Sequence, residues 1–239
     1  MSENSRPDFA PNAEVYDEAY YEAMYRPHWF FRNARKYHER GEALLRLVRP
    51  RPDLRLLEVG CARGDTVLFF APRVASVTGI DASPTAISAA CRLSRSRGIA
   101  NVRFVEADAR DLAPLEGPFD VVLLADFVEH VPDDILLPCL SAARRILSPR
   151  GALAIYTPNR DHWAERLKAA VPGLQQKDHI AVRKAARVVA LVQEAGFLPE
   201  DLFFSASPYP VLGAFDRAFP SLGICRFRTC VRAVPTAAG

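Results

Sequence analysis

LLEVGCARGD, Leu56 to Asp65, is the stretch whose reading decides the fold. It opens as an apolar run carrying one acid, Glu58, and breaks at Gly60 into small residues that end at Gly64. A short apolar run bounded by glycine reads as a buried strand of a parallel sheet entering a tight turn. Gly60 lets the backbone turn sharply, and Gly64 lets it approach a ligand closely, because neither carries a Cβ. In such sheets ligands sit beyond the carboxyl ends of the strands, where strand order reverses. The turn is therefore the expected floor of a binding site.

Working outward, Val/Ile/Leu/Phe-rich runs recur at Leu54–Val59, Ser76–Ile80, Val102–Val105, Phe119–Ala125 and Ala152–Thr157, with helical patterns between them. Ser83 followed by Pro84 and Thr85 reads as an N-cap with proline at the first helical position. Pro132-Asp133-Asp134 starts another helix with acids at its positive end. LSPRG, Leu147–Gly151, turns the chain back toward the sheet, and Gly196 in EAGF stands where a helix C-cap takes a positive φ. Strand–helix alternation predicts βαβ units. Runs near Leu202–Ser205 and Ile224–Val234 predict two more strands, as an antiparallel hairpin at one edge. The expected class is α/β and Rossmann-like, with a mostly parallel seven-stranded sheet and helices on both faces.

Residues 13–50 are helical and aromatic-rich, an expected N-terminal cap in which Pro27 separates two helices. Residues 1–12 are expected to be a disordered tail. The remainder, 51–239, forms the sheet domain, with a substrate-side insertion at 159–180.

Bulk composition sets bounds. The chain has 239 residues, 49% hydrophobic and 25% charged, enough for a sizeable core without disulfides or structural metals. Net charge is only +3 and the basic residues are scattered, so no nucleic-acid partner is expected. Five cysteines without a CxxC pair fit a reducing cytoplasm, and Cys225 and Cys230 read as packing residues. The N-terminus lacks a secretory pattern, and no stretch approaches the ~20 apolar residues of a membrane span. A cytoplasmic protein is expected; oligomeric state is not readable.

Two cofactors compete for the Gly60–Gly64 turn. A dinucleotide wants G-x-G-x-x-G. Counted from Gly60, this chain supplies Ala62 and Asp65 at the second and third glycine positions. Asp65 near a helix N-terminus opposes a pyrophosphate, which needs those amides for its own charge. An NAD-dependent oxidoreductase is disfavoured. The pattern E-x-G-x-x-x-G, Glu58 to Gly64, instead resembles the first motif of class I S-adenosylmethionine (SAM)-dependent methyltransferases. Their ligand carries a sulfonium and an amino-acid head rather than phosphates. That family usually has glycine where this chain has Ala62.

The resemblance continues in register. VTGIDASPTAI ends its strand at Asp81, about twenty residues past Gly60, where a carboxylate suits the two hydroxyls of a ribose. VRFVEADARDL brings Asp108, which the resemblance assigns to the adenine amino group, and Ala109, assigned to the ring face. FDVVLLADFVEHV ends at Ala125 and Asp126, under the cofactor, and LSPRG precedes the fifth strand. HWFFRNARKYHERGEALLRLV is similar to the helix before the core in ubiquinone-biosynthesis-type and bacterial glycan-type methyltransferases. DHIAVRKAARVVALVQEAGF is similar to their substrate-side helix, with Lys184 where an aromatic residue is usual.

The resemblance implies SAM as cofactor, S-adenosylhomocysteine as its product, and a small-molecule acceptor. Implied cofactor contacts are Glu58, Gly60, Cys61, Ala62, Gly64, Asp81, Ala82, Asp108, Ala109, Ala125 and Asp126, with Trp29 of the cap and Arg32 for the methionine carboxylate. Tyr16, Tyr20, Tyr21, Asn159 and Trp163 are expected on the acceptor side. Trp163, Leu167 and Val171 stand at helical spacing, as a lid or a packed helix.

Methyl transfer is an in-line displacement, so positioning and water exclusion supply most of the acceleration. A hydroxyl acceptor must also lose a proton, which suits histidine near neutral pH. His130, after the fourth strand, is the expected general base, and His179, opening the next helix, orients it. No Asp-Asn pair follows these strands, so no catalytic metal is expected. Oxygen is the first expected acceptor, then nitrogen or carbon; a noncatalytic SAM-binding protein is the remaining alternative.

Overall fold

The computed structural model describes residues 34–171, 178–219 and 221–236. The elements follow in the order α1 (Ala34–Val48), β1 (Arg55–Val59), α2 (Asp65–Phe70), β2 (Ser76–Asp81), α3 (Pro84–Ser96), β3 (Val102–Glu106) and β4 (Phe119–Ala125). After these come α4 (Asp133–Ile146), β5 (Leu147–Pro158), α5 (Trp163–Ala170), α6 (Ala185–Glu194), β6 (Phe197–Ser205), α7 (Pro210–Ala218) and β7 (Arg228–Pro235). The strands form one seven-stranded sheet in the order β3-β2-β1-β4-β5-β7-β6. Strands β1 to β5 pair in parallel, while β7 runs antiparallel to both β5 and β6. The order reverses between β1 and β4, which places the Gly60–Gly64 turn at the reversal.

Local chemistry explains the boundaries. Ser83 caps α3 by accepting the Ala86 amide on its hydroxyl, with Pro84 next in line. Asp133 and Asp134 occupy the first turn of α4. Gly196 closes α6 at φ 82°. Buried apolar side chains fill both faces of the sheet. Leu44, Leu47 and Val48 of α1 pack with Val67 and Phe70 on one side. Leu136 and Leu140 of α4 pack with Val188 and Leu191 of α6 on the other. Thus α1, expected in the cap, serves as a layer helix of the core. The rest of the cap, with Tyr16, Tyr20, Tyr21, Trp29 and Arg32, lies outside the described residues.

Three further expectations change. LSPRG is continuous with β5, and its Leu147 pairs with Phe119 across a register shift. The tail run from Ile224 divides into a 3-10 turn, Gly223–Cys225, and β7 from Arg228. Between β6 and β7 the chain inserts α7, which carries no strong period-3.6 stripe against the core and was not foreseen. Cys225 and Cys230 are buried free thiols, in keeping with packing roles.

Candidate functional site

The turn after β1 is fixed by backbone bonds. The amides of Gly60 and Cys61 both donate to Ile80 O at 2.8 Å, and Gly64 N donates to Cys61 O at 2.8 Å. Gly60 has φ 73° and Gly64 φ 84°, where side chains are rarely tolerated. Packing sharpens both requirements: a Cβ on Gly60 would lie 2.5 Å from the Phe127 ring, and one on Gly64 would lie 2.7 Å from Phe104. The glycines thus admit neighbouring aromatic rings as well as a turn. Ala62 occupies the left-handed region at φ 47°, and its amide donates to Asp81 Oδ2 at 2.9 Å. Asp81 Oδ1 accepts the Ser83 amide at 2.9 Å. Burial pushes the Asp81 carboxyl up, opposed by the Ser83, Ala62 and Ala82 amides. Asp81 therefore pins the turn from the end of β2.

Beside the turn lies a buried charge cluster that joins distant elements. Glu58 is 2% exposed, and its Oε2 has no hydrogen-bond partner among the described residues. Burial pushes its carboxyl up to about 8, against the opposing pull of Arg40. Arg40, from α1, donates through Nε to Asp126 Oδ2 at 3.1 Å and through Nη2 to Thr66 Oγ1 at 3.1 Å. Asp126, at φ 54°, also meets Arg228 Nη1 of β7 at 3.1 Å. Burial alone would raise Asp126, but Arg228 and Arg40 hold it below the ordinary carboxylate range. The Arg228 guanidinium lies 5.3 Å from the Tyr156 ring centre and 5.0 Å from that of Phe227.

The 3-10 turn Val128–His130 carries the next group. Glu129 is 1% exposed; its Oε2 accepts Thr157 Oγ1 at 2.9 Å, while Oε1 has no hydrogen bond and lies 3.8 Å from Arg228. Burial, together with Asp126, pushes its carboxyl up. His130 Nδ1 lies 3.0 Å from Asp178 O, and its ring meets that of His179 edge-on with centres 5.0 Å apart. Burial, with His130 and Arg228 nearby, lowers His179 to about 4, which keeps that ring neutral. His179 lies six residues before α6 rather than opening it, because Lys184 is the N-cap. Arg183 locks the two segments together: it is 7% exposed and donates to Val128 O, Val131 O and Ala181 O, and to Asp133.

Among the described residues, the structure also brings together a set of side chains that could hold a metal ion. Glu129, His130 and His179 each offer a ligand atom, all within 4.8 Å of one another. A buried carboxylate with two imidazoles suits a divalent cation such as zinc or manganese, and a carbonyl on the far nitrogen of His130 is the usual means of orienting such a ligand.

Other expected contacts fare unevenly. Cys61 and Ala125 are buried at the turn and at the end of β4, while Ala82 follows Asp81 at the mouth. Asp108 chelates Arg110, with Nη2 to Oδ2 at 2.6 Å, so its carboxylate is engaged by a neighbour rather than presented bare; Ala109 packs against the core. Asn159, expected on the acceptor side, donates through Nδ2 to Arg226 O and accepts the Asp161 amide on Oδ1, which braces the loop after β5. Trp163 leans on His162, and its buried Nε1 has no hydrogen-bond partner among the described residues. Leu167 and Val171 are 50% and 39% exposed, so α5 is not a packed helix along that stripe. Arg40, Glu129 and Arg228 were missed. Arg40 lies inside the quoted HWFFRNARKYHERGEALLRLV segment but was not singled out there, and Arg228 is brought to the site only by the placement of β7.

A family model described as a methyltransferase domain matches residues 29–201. A ubiquinone biosynthesis O-methyltransferase of Cereibacter sphaeroides is 38% identical over 112 residues, which cover 47% of this chain and 44% of that protein. One from Thiobacillus denitrificans is 32% identical over 178 residues, covering 69% of this chain and 75% of the other. The chain thus spans less than half of the first relative and three-quarters of the second. Among solved structures, the PH0226 protein of Pyrococcus horikoshii superposes with a TM-score of 0.65 at 18% identity, covering 92% of this chain and 93% of its own.

Proposed function

The chain belongs to the methyltransferase-domain family, of the class I SAM-dependent type, and from that premise we propose that it transfers a methyl group from SAM to an oxygen of a small-molecule acceptor. The observation that carries the reading is buried Glu58, next to the Gly60–Gly64 turn, whose Oε2 has no hydrogen-bond partner among the described residues and which feels the charge of nearby Arg40. A guanidinium and a carboxyl side by side match the carboxylate and ammonium of an amino-acid head. In this reading Arg40 meets the carboxylate of that head, Glu58 its ammonium and Asp81 the ribose. When bound, SAM supplies an electrophilic methyl on a sulfonium.

This chain's own residues position and deprotonate. With its Nδ1 proton donated to Asp178 O, His130 presents Nε2 as the basic nitrogen, and neutral His179 packs against its edge. His130 is the proposed general base, and Arg183 holds its turn in place. The second reading rests on the Glu129–His130–His179 set: a divalent cation held there would lower the pKa of an acceptor hydroxyl and orient it.

Calorimetry with SAM, S-adenosylhomocysteine and NAD tests the first step. Heat with the first two and none with NAD is expected; no heat with either sulfur ligand refutes the reading. Incubation with SAM and a pool of cellular small molecules, followed by mass spectrometry for a one-methyl gain, then tests catalysis against mere binding.

A further inference from the structure

Arg228 opens β7 at the carboxyl ends of the parallel strands, paired with Pro158 of β5, and its side chain reaches Asp126 and Glu129 beyond the exit of β4. The rings of Tyr156 and Phe227 hold the guanidinium in place, and the side chain keeps 18% of its surface exposed. Among the described residues neither Nε nor Nη1 makes a hydrogen bond, although both atoms are shielded from solvent. A guanidinium offers N–H donors and no acceptor, and most of those donors sit on these two nitrogens.

The acids whose charge Arg228 feels are Asp126, Glu129 and Glu165, and each is engaged elsewhere. Asp126 is shared: its Oδ2 accepts the Arg40 Nε–H, while its Oδ1 stands 3.1 Å from Arg228 Nη1 without hydrogen-bond alignment. Glu129 accepts Thr157 on Oε2 and leaves Oε1 3.8 Å from the guanidinium, again unbonded. Glu165, in the first turn of α5, meets the Lys168 ammonium at 2.7 Å. Arg228 thus touches one carboxylate that Arg40 also uses, and its donors stay unmatched. Donors left unmade in a shielded place are costly, and the planar fork suits the paired oxygens of a carboxylate.

This fork stands beside the proposed base. Glu129 and His130 are consecutive in one 3-10 turn, and His179, whose ring meets that of His130, feels the Arg228 charge. The methyl donor does not supply the missing oxygens, because in the reading above its carboxylate goes to Arg40. What remains is the acceptor molecule: with its hydroxyl at His130, a neighbouring substituent comes to Arg228. With three acids already around the guanidinium, a single negative charge is met with less repulsion than a double one, which favours a carboxylate over a phosphate.

We propose that Arg228 is a specificity-determining residue that binds a carboxylate carried by the acceptor near the hydroxyl that is methylated. The inference rests on the methyl-transfer reading and names its substrate class. Cellular small molecules are divided on an anion exchanger at neutral pH, and the retained and unretained pools are each incubated with the full chain and SAM. One-methyl gains are expected in the retained pool, in products that still lose carbon dioxide on fragmentation. With such an acceptor, Arg228→Gln should raise KM by about tenfold to a hundredfold with a smaller change in kcat, and Arg228→Lys should recover part of that loss. Thermal stabilisation by S-adenosylhomocysteine should persist in both variants; its loss in both would make Arg228 a structural residue and overturn the proposal. Gains confined to the unretained pool, or an unchanged KM in Arg228→Gln, overturn it and leave methyl transfer standing. A product esterified at its carboxylate overturns it as well, because the carboxylate is then the methylated group. No gain in either pool removes the methyl-transfer reading and this inference with it.

Discussion

Arg40 and Asp126, 86 residues apart in sequence, meet at 3.1 Å and tie the helix before the sheet to the exit of its central strand. The same guanidinium bonds Thr66 at the start of α2. One side chain thus fixes three elements around Glu58.

Replacing Arg40 by methionine should therefore weaken S-adenosylhomocysteine binding by about tenfold to a hundredfold, the worth of a charge-assisted hydrogen bond of ~1.5–3 kcal/mol. Calorimetry at neutral pH measures it. Unchanged affinity would remove Arg40 from the donor site.

Ala62 sits at φ 47°, a conformation that costs a non-glycine residue on the order of 1–2 kcal/mol. Glycine there relieves that strain but adds about 0.5–1 kcal/mol of unfolded-chain entropy. Ala62→Gly should hold or raise the melting temperature. A clear fall would show that the Ala62 methyl packs against something the turn needs.

Glu58 sets a pH dependence. Its folded value of about 8 stands above the ordinary 4.5, so the folded chain keeps a proton that the unfolded chain releases. The associated stability is full below about pH 4.5 and is lost as pH rises through 8. Glu58→Gln should raise the melting temperature more at pH 8 than at pH 5. An ammonium arriving beside Glu58 should also drive that proton off, so donor binding at pH 7 should release protons, detected as a buffer-dependent heat. Equal heats in buffers of different ionisation enthalpy would count against it.

His162→Ala leaves the buried Asp216 oxygen without its partner and opens a cavity at the joint between α5 and α7. A loss of about 3 kcal/mol is expected in urea unfolding, from the unsatisfied acceptor and lost packing together. A change under ~1 kcal/mol would mean that this contact does not hold the start of α5 to α7.

Chelation separates the two readings of the His130 site. With the histidine acting as base, turnover survives a chelator and His130→Ala lowers it by about 10²–10⁴. With a held cation, the chelator abolishes turnover, zinc or manganese restores it, and Glu129→Gln blocks the restoration.

The local half of this structure was legible in the sequence. Apolar runs located β1 to β4 within a residue or so, and Ser83, Asp133 and Gly196 marked helix ends through chemistry that acts over three or four residues. The turn after β1 was legible for the same reason. What escaped was long-range. Arg228 and Asp126 are brought together by sheet order, which no spacing encodes, and the bond from Asn159 to Arg226 O spans 67 residues. The Glu129 carboxyl carries its meaning only through burial beside Thr157. Helix α7 hid because its apolar stripe faces outward, so it reads like an ordinary tail.

Strand β7 is the last of the seven in the chain, yet it lies between β5 and β6 and delivers Arg228 to the site. During translation, the first six strands leave the ribosome before the sheet can close. A chain cut short before Arg228 would keep the glycine turn but leave Asp126 with Arg40 alone and buried Glu129 without its nearby cation, so the cluster is completed only when the last strand is in place.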